Sequence, residues 1–389
     1  MPFSAALSTT RETKRAVEEV CTRALGELQG KPDLALAFFS VHHGEEAEEL
    51  AQTLQQRLAP RCLLGCTGEA IVGNDQEIER NPALSLWLGR WEQPVELEPF
   101  HIVLEQTADG VSMLGWPDAL LGADPERSAM LLLGDPFTFP IDACLQQINE
   151  DHPKLRVMGG MASGGRGPGE CRLLIGDKAP IEGAVGVLLQ GPVQVRSIVS
   201  QGCRPVGQHM VITKGHDNII EELGGQPPLA RLQQLWRELS ARDQQLFQQG
   251  LHVGRVINEY QGKFQRGDFL VRNVLGLDRD TGALAITDQV RVGQTIQFHV
   301  RDAETADEDL HALLQMDRGM YKSKPGGALV FTCNGRGTRL FSKPHHDART
   351  IREEVGVLPL AGFFAQGEVG PVGGQNFIHG FTASVVLFE

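Results

Sequence analysis

Gly159-Gly160-Met161-Ala162-Ser163-Gly164-Gly165-Arg166-Gly167 and Gly362-Phe363-Phe364-Ala365-Gln366-Gly367-Glu368-Val369-Gly370 align without a gap and share the pattern Gly-x-x-Ala-x-Gly. Each reads as a glycine-rich turn that ends a short apolar strand, Leu155 to Met158 in one case and Leu358 to Ala361 in the other. Upstream of each lies another apolar run, Ala129 to Leu133 and Ala328 to Thr332, followed by a loop and a helical stripe. The stripes are Ile141, Cys144, Leu145, Ile148 and Ala348, Ile351, Val355, with the three- and four-residue spacing of one helix face. Ala184 to Leu189 and Phe381 to Phe388 close the two segments as strands.

The N-terminal region carries the same order. Leu34 to Phe39 is a buried strand, Val41 to Gly44 a loop, and Ala47, Leu50, Ala51, Leu54, Leu58 a helix stripe ended by Pro60. Cys62 to Leu64 is a strand, Gly65-Cys66-Thr67-Gly68-Glu69 a turn, and Ala83 to Leu88 the closing strand. The chain therefore reads as three copies of a strand–loop–helix–strand–turn–strand module. A leading helix over 11–29 precedes them. Between the second and third copies lie a strand at Met210 to Thr213 and a helix after Pro227-Pro228. Strands near 269–300 follow, then a helix opened by the capping box Thr305 to Glu308. These patterns predict an α/β protein of two lobes with mixed sheets, divided into 1–201 and 202–389.

Composition narrows the function. The 389 residues hold 36 Lys and Arg against 49 Asp and Glu, a net charge of −13. That balance opposes nucleic acid and anionic membrane as partners. No apolar run is long enough to span a bilayer, and charges from Arg11 onward interrupt any secretory leader. Seven cysteines without a C-x-x-C pair fit reduced thiols and a cytoplasmic setting. The 45 glycines imply many tight turns or backbone that closely approaches a neighbour.

Several separated motifs resemble the FIST family, an α/β sensory module with N-terminal and C-terminal parts. In the N-terminal part the resemblance rests on Leu64-Gly65-Cys66-Thr67-Gly68-Glu69. In the C-terminal part it rests on Ile212-Thr213-Lys214, Asn218 to Pro227, Phe331 to Gly337 and Ala361 to Pro371. The resemblance implies sensing of a small ligand, with amino acids among those proposed, and no catalysis. Family members are often fused to kinases, cyclases or methyl-accepting segments, and some resemble haem-binding nitric-oxide sensors. None of those outputs is visible here, so a free-standing module that signals through a separate signalling or assembly protein is expected. Haem is the only cofactor the resemblance raises, and oligomeric state is not readable.

The candidate ligand site centres on the third module. Arg336 in a glycine-flanked loop suits a carboxylate, Glu368 suits an ammonium, and Phe363, Phe364 and Phe377 would wall a zwitterion held between them. Alternatively, Arg336 and Glu368 pin loops by pairing with each other or with backbone. Cys333, Asn334, Gly337, Gly367, Asn376 and His379 complete the third-module set, and Gly65, Cys66 and Thr67 add the N-terminal turn. Cys333 is either a nucleophile needing a histidine such as His379 or His345, or a small buried apolar residue. The adjacent pairs His42-His43 and His345-His346 suit a metal or haem only if they sit in loops. Gly159-Gly160 and Gly164-Gly165 lack the lysine and hydroxyl of a phosphate loop.

Overall fold

The computed structural model describes residues 2–28, 30–107 and 110–389. Met1 and Gln29, the expected end of the first helix, lie outside the described residues. The fold is mixed α/β, in two compact units. The first comprises Met1–Val199, Leu310–Ile378 and Thr382–Glu389, and the second Ser200–Asp309 with His379–Phe381. The expected division at 201/202 sits beside the first crossing between units. The chain nevertheless returns to the first unit at Leu310, so the third module is not part of a separate C-terminal lobe.

The first module runs β1 (Phe3–Ser8), α1 (Thr13–Glu27), β2 (Leu34–Ser40), α2 (Ala47–Leu58), β3 (Cys62–Gly68), the hairpin β4 (Ala70–Gly73) and β5 (Gln76–Glu79), and β6 (Leu84–Gly89). The second runs β7 (Glu96–Thr107), β8 (Gly110–Leu114), β9 (Ser128–Gly134), α3 (Ile141–Asp151), β10 (Arg156–Met161), β11 (Leu173–Ile175) and β12 (Ala184–Gln190), followed by β13 (Val195–Gln201). In each module the helix links two parallel neighbours, β2 with β3 and β9 with β10. The closing strand, β6 or β12, pairs antiparallel on the far side of the first. Sequence patterning missed β1, β4 and β5, which are short strands flanked by polar residues.

The second unit is a closed six-stranded barrel: β14 (Cys203–His216), β15 (Ile219–Leu223), β16 (Leu251–Val256), β17 (Phe269–Leu277), β18 (Leu284–Ile286) and β19 (Thr295–Arg301). Helices α4 (Pro228–Glu238) and α5 (Ala241–Gln249) belong to it. Pro228 occupies the first turn of α4, where its missing N–H costs nothing. Ser240 caps α5 by accepting from the Asp243 N–H at 3.1 Å. Leu232 and Leu235 of α4 pack with Val253, Ile296 and Phe298. The next helix, α6 (Ala303–Met320), starts before the expected capping box. Asp302 caps it instead, accepting from the Glu304 N–H at 3.2 Å.

The third module completes the first unit with β20 (Gly327–Cys333), α7 (His346–Val355), β21 (Leu360–Ala365), the hairpin β22 (Glu368–Val372) and β23 (Gln375–His379), and β24 (Thr382–Phe388). The three modules exchange strands in a ring. The first sheet, β1-β6-β2-β3, takes β11 from the second module. The sheet β12-β9-β10 takes the β22–β23 hairpin from the third, and β24-β20-β21 takes β4–β5 from the first. Pairing also corrects the register of the repeat. Gly134 pairs with Met161 and Cys333 with Ala365, so Met161 corresponds to Ala365, one residue away from the ungapped alignment of the turns. Gly159 to Met161 and Gly362 to Ala365 are strand, and the corners begin only after them.

Burial on both faces of each sheet explains the unbroken apolar runs. Along β2, Leu34, Leu36 and Phe38 join a shared core with Leu131, Met158, Phe331 and Phe363. Ala35, Ala37 and Phe39 turn the other way, against the stripes of α1 and α2. Phe38, Phe331 and Phe363 meet with ring centroids 5.2 to 6.1 Å apart. Fully burying one such ring is worth about 1.5–3 kcal/mol, so side chains from several modules support one core.

Candidate functional site

β20 is buried along its length until Cys333, which is partly exposed. The chain then turns sharply. Asn334 donates its N–H to the Ala365 carbonyl at 3.0 Å, and Arg336 donates its own to the Cys333 carbonyl at 2.8 Å. Gly337 has φ +58, and a Cβ there would lie 2.6 Å from the Phe364 ring and 2.8 Å from Glu79 Oε1. Both facts require glycine. The turn carries Arg336 inward until only 1 % of it is exposed.

Arg336 meets Asp347, at the start of α7, in a two-pronged ion pair. Nε donates to Oδ2 at 2.8 Å and Nη2 to Oδ1 at 2.7 Å. The Thr332 hydroxyl donates to Oδ2 at 2.5 Å, and His346 Nδ1 lies 2.9 Å from Oδ1. The His346 ring stacks on Phe341 at 3.4 Å, and the guanidinium carbon sits 5.2 Å from the same phenyl ring. Burial alone would raise the Asp347 carboxyl, but Arg336 and His346 outweigh it and hold it well below the usual carboxylate range.

Two further carboxyls flank this pair. Glu77 reaches in from β5, and its Oε1 accepts from the Ala348 N–H at 3.0 Å. Glu368, at the start of β22, accepts through Oε2 from the Thr382 N–H at 3.1 Å and hydroxyl at 2.8 Å. Burial pushes Glu77 up to about 8, with Asp347 adding to the effect. Burial also pushes Glu368 up to about 8 against the opposing pull of Thr382, Arg336 and Cys333. Arg336 and Asp347 thus offset each other's charge, and burial favours the uncharged forms of Glu77 and Glu368, which eases the cost of burying the cluster.

Four polar atoms of this cluster are buried without a hydrogen-bond partner: Glu77 Oε2, Asn334 Oδ1, Arg336 Nη1 and Glu368 Oε1. Unpaired buried polar atoms are costly and uncommon. Those of Asn334, Arg336 and Glu368 lie at the carboxyl ends of the parallel strands β20 and β21, where α/β sheets commonly bind ligands.

The sequence-derived candidates do not all gather here. Cys333, Asn334, Arg336, Gly337 and Glu368 belong to the cluster. Arg336 forms its ion pair with Asp347, through Nε and Nη2, rather than with Glu368, and its Nη1 is left without a partner. Gly65, Cys66 and Thr67 are mid-strand. Gly65 and Cys66 pair with Leu174 and Leu173 of β11, and Thr67 accepts from the Ser163 and Arg172 N–H groups. Glu69 lies on the surface, in an ion pair with Arg339. Ala70 and Arg172 fill the positions corresponding to Glu368, as the pairings Phe363 with Ile71, Cys66 with Leu173 and Gly159 with Val369 show.

Asn376 is a staple between modules. Its Oδ1 accepts from the Val157 N–H at 2.8 Å, and its Nδ2 donates to the Leu155 carbonyl at 2.7 Å. Gly367 has φ +151, and its carbonyl accepts from the Met161 N–H at 2.8 Å. His379 is buried at the end of β23. Phe363 and Phe364 face opposite sides of β21, so they do not form one wall. The histidine pairs are engaged: His42 with Ser40, His43 with Thr13, His345 with the Glu77 backbone and His346 with Asp347. Among the described residues, no group of three or more His, Cys, Asp or Glu is arranged to hold a metal. Sequence reasoning missed Glu77, Asp347 and Thr382, and it named His346 only as half of a histidine pair. Asp347 gave a faint signal as an acid in the first turn of a helix.

Comparison with known proteins agrees with the motif reading. The FIST N domain family model matches residues 33–226, and the FIST C domain model matches residues 228–371. The boundary between them falls inside the barrel, after β15. An uncharacterised protein of Mycobacterium tuberculosis is 40 % identical over 389 residues, covering 100 % of both chains. An uncharacterised protein of Mycobacterium bovis is 40 % identical over 389 residues, covering 100 % of this chain and 99 % of its own.

Proposed function

The chain belongs to the FIST family, and on that premise we propose that it is a non-catalytic sensor of a small polar metabolite, bound at the Cys333–Arg336 loop. FIST domains are sensory domains, and the observation that supports this location is the trio of unpartnered buried atoms on Asn334, Arg336 and Glu368. They offer a charged NH2 group with two donors, one amide acceptor and one carboxyl oxygen. An amino acid or similar polar metabolite would supply the complements, its carboxylate toward Arg336 Nη1 and its donor groups toward Asn334 and Glu368. Burial favours the uncharged form of Glu368, which suits a hydrogen-bonding partner better than an anionic clamp.

The signal passes to a separate signalling or assembly protein in the cytoplasm. Among the described residues no helix is long and apolar enough to cross a membrane.

Thermal-shift screening of amino acids and small polar metabolites tests this reading. Asn334 is partly buried, and its backbone, not its side chain, carries the turn. Asn334→Ala should therefore leave the apo melting temperature near wild type and abolish the shift from any hit. A hit unaffected by Asn334→Ala places the site elsewhere. A haem reading gains no support from the engaged histidine pairs, and purified protein reconstituted with haem should show no Soret band.

A further inference from the structure

Six of the seven cysteines are buried, and Cys333 alone is partly exposed. Burial pushes the Cys62 and Cys144 thiols up to about 12 and Cys21 up to about 11, and it raises Cys66, so these remain inert thiols. Cys333 has different surroundings. Its sulfur accepts from the Gly335 N–H at 3.4 Å. The fully buried Arg336 guanidinium lies close enough for the two to interact, and Glu368 interacts with both. Arg336 Nη1 and Glu368 Oε1 are the atoms left without partners.

We propose that Cys333 is a peroxide-reactive thiol, with Arg336 holding the negative charge at the reacting atoms and Glu368 delivering the proton that the departing oxygen requires. The sulfur attacks one oxygen of a hydroperoxide. A sulfur–oxygen bond forms as the oxygen–oxygen bond breaks. Sulfur is oxidised to the sulfenic acid, and the leaving oxygen is reduced and takes the Glu368 carboxyl proton to become water or an alcohol. The thiol proton released by Cys333 restores Glu368. The balance is thiol plus hydroperoxide to sulfenic acid plus water or alcohol, and the hydroperoxide itself is the oxidant. A reagent of two bonded oxygens is small enough for a sulfur only partly open to solvent. It also needs both groups on offer, a donor for the developing charge and an acid for the leaving atom. A thiol that is merely accessible needs neither.

This goes beyond metabolite binding and requires no bound ligand. The test uses the full-length, ligand-free protein. Hydrogen peroxide is added, sulfenic acid is trapped with a cyclic 1,3-dione, and each cysteine is followed by mass spectrometry. In parallel, iodoacetamide measures accessibility and thiolate fraction without needing an acid for an oxygen leaving group. Cys333 should be oxidised at least about tenfold faster than free cysteine at the same pH, while its alkylation shows no such acceleration. The other six cysteines should remain unlabelled in the folded protein. Glu368→Gln keeps an oxygen for Thr382 but has no proton to transfer. It should slow oxidation at least about tenfold and leave alkylation within about twofold. Oxidation of wild-type Cys333 no faster than free cysteine overturns the proposal without any variant. So does a Glu368→Gln effect equal on both reagents, or absent from both. Loss of every metabolite shift with Cys333 still peroxide-reactive would count against the ligand reading alone.

Discussion

Glu368→Gln also makes a thermodynamic prediction. The Glu368 carboxyl is raised from 4.5 to about 8 by complete burial. Between those values the unfolded chain releases a proton that the folded chain keeps. Stability therefore falls as pH rises through the window, at about 1.4 kcal/mol per pKa unit once the group is ionised in the unfolded state alone. The accumulated loss is about 3 kcal/mol at pH 7 and about 5 kcal/mol above pH 8. Glutamine is nearly isosteric and cannot ionise, and its carbonyl can accept the two bonds that Thr382 gives to Oε2. The variant should match wild type near pH 4.5 and exceed it progressively toward pH 8. Urea titrations followed by circular dichroism from pH 4.5 to 8.5 give the difference directly, and other titrating groups cancel because both proteins carry them. Parallel profiles, or a gap that shrinks as pH rises, would show that Glu368 is ionised in the folded protein and that its uncharged state has been misassigned.

Breaking the buried pair with Asp347→Asn leaves Arg336 inside without its counter-ion, and should cost about 3–5 kcal/mol in urea denaturation. Arg339→Ala removes a surface ion pair with Glu69 whose side chains are 48 % and 39 % exposed, and should cost under about 1 kcal/mol, less in high salt. In the barrel, burial pushes His252 and His299 down to about 4, with Arg301 adding to the effect at His252. NMR titration should find both rings neutral down to about pH 5. Because the unfolded chain binds the extra protons, stability conferred by each ring is full above pH 6.5 and declines by about 3 kcal/mol as pH falls through 4.

Much of the architecture was legible because apolar runs buried on both faces leave little ambiguity. Leu34 to Phe39, Ala129 to Leu133 and Ala328 to Thr332 each became the strand that precedes a module's crossover helix, and the stripes beginning at Ala47, Ile141 and Ala348 became those helices. The destination of the short strands was not legible. Ala70-Ile71-Val72-Gly73 looks like any polar-flanked hairpin, and nothing local says that it pairs with Phe363 rather than with its own sheet. The same non-locality hid half of the site. Arg336 and Glu368 announced themselves through their glycine loops. Glu77 reaches the cluster across 270 residues of chain, counted from Glu77 to Asp347, and Thr382 carries no motif. Proximity between such residues is set by topology, which a single sequence does not encode in its periodicities.

The borrowed edge strands carry a consequence for synthesis. The sheet built on β9 lacks its rim until residues 368–379 have been made, and the sheet around β20 needs the last residues of the chain. A nascent chain leaving the ribosome would expose unpaired strand edges for nearly its whole length. The barrel's strands, contiguous from Cys203 to Arg301, can close long before. Truncation by even one terminal strand should therefore leave a sticky intermediate rather than a smaller working protein.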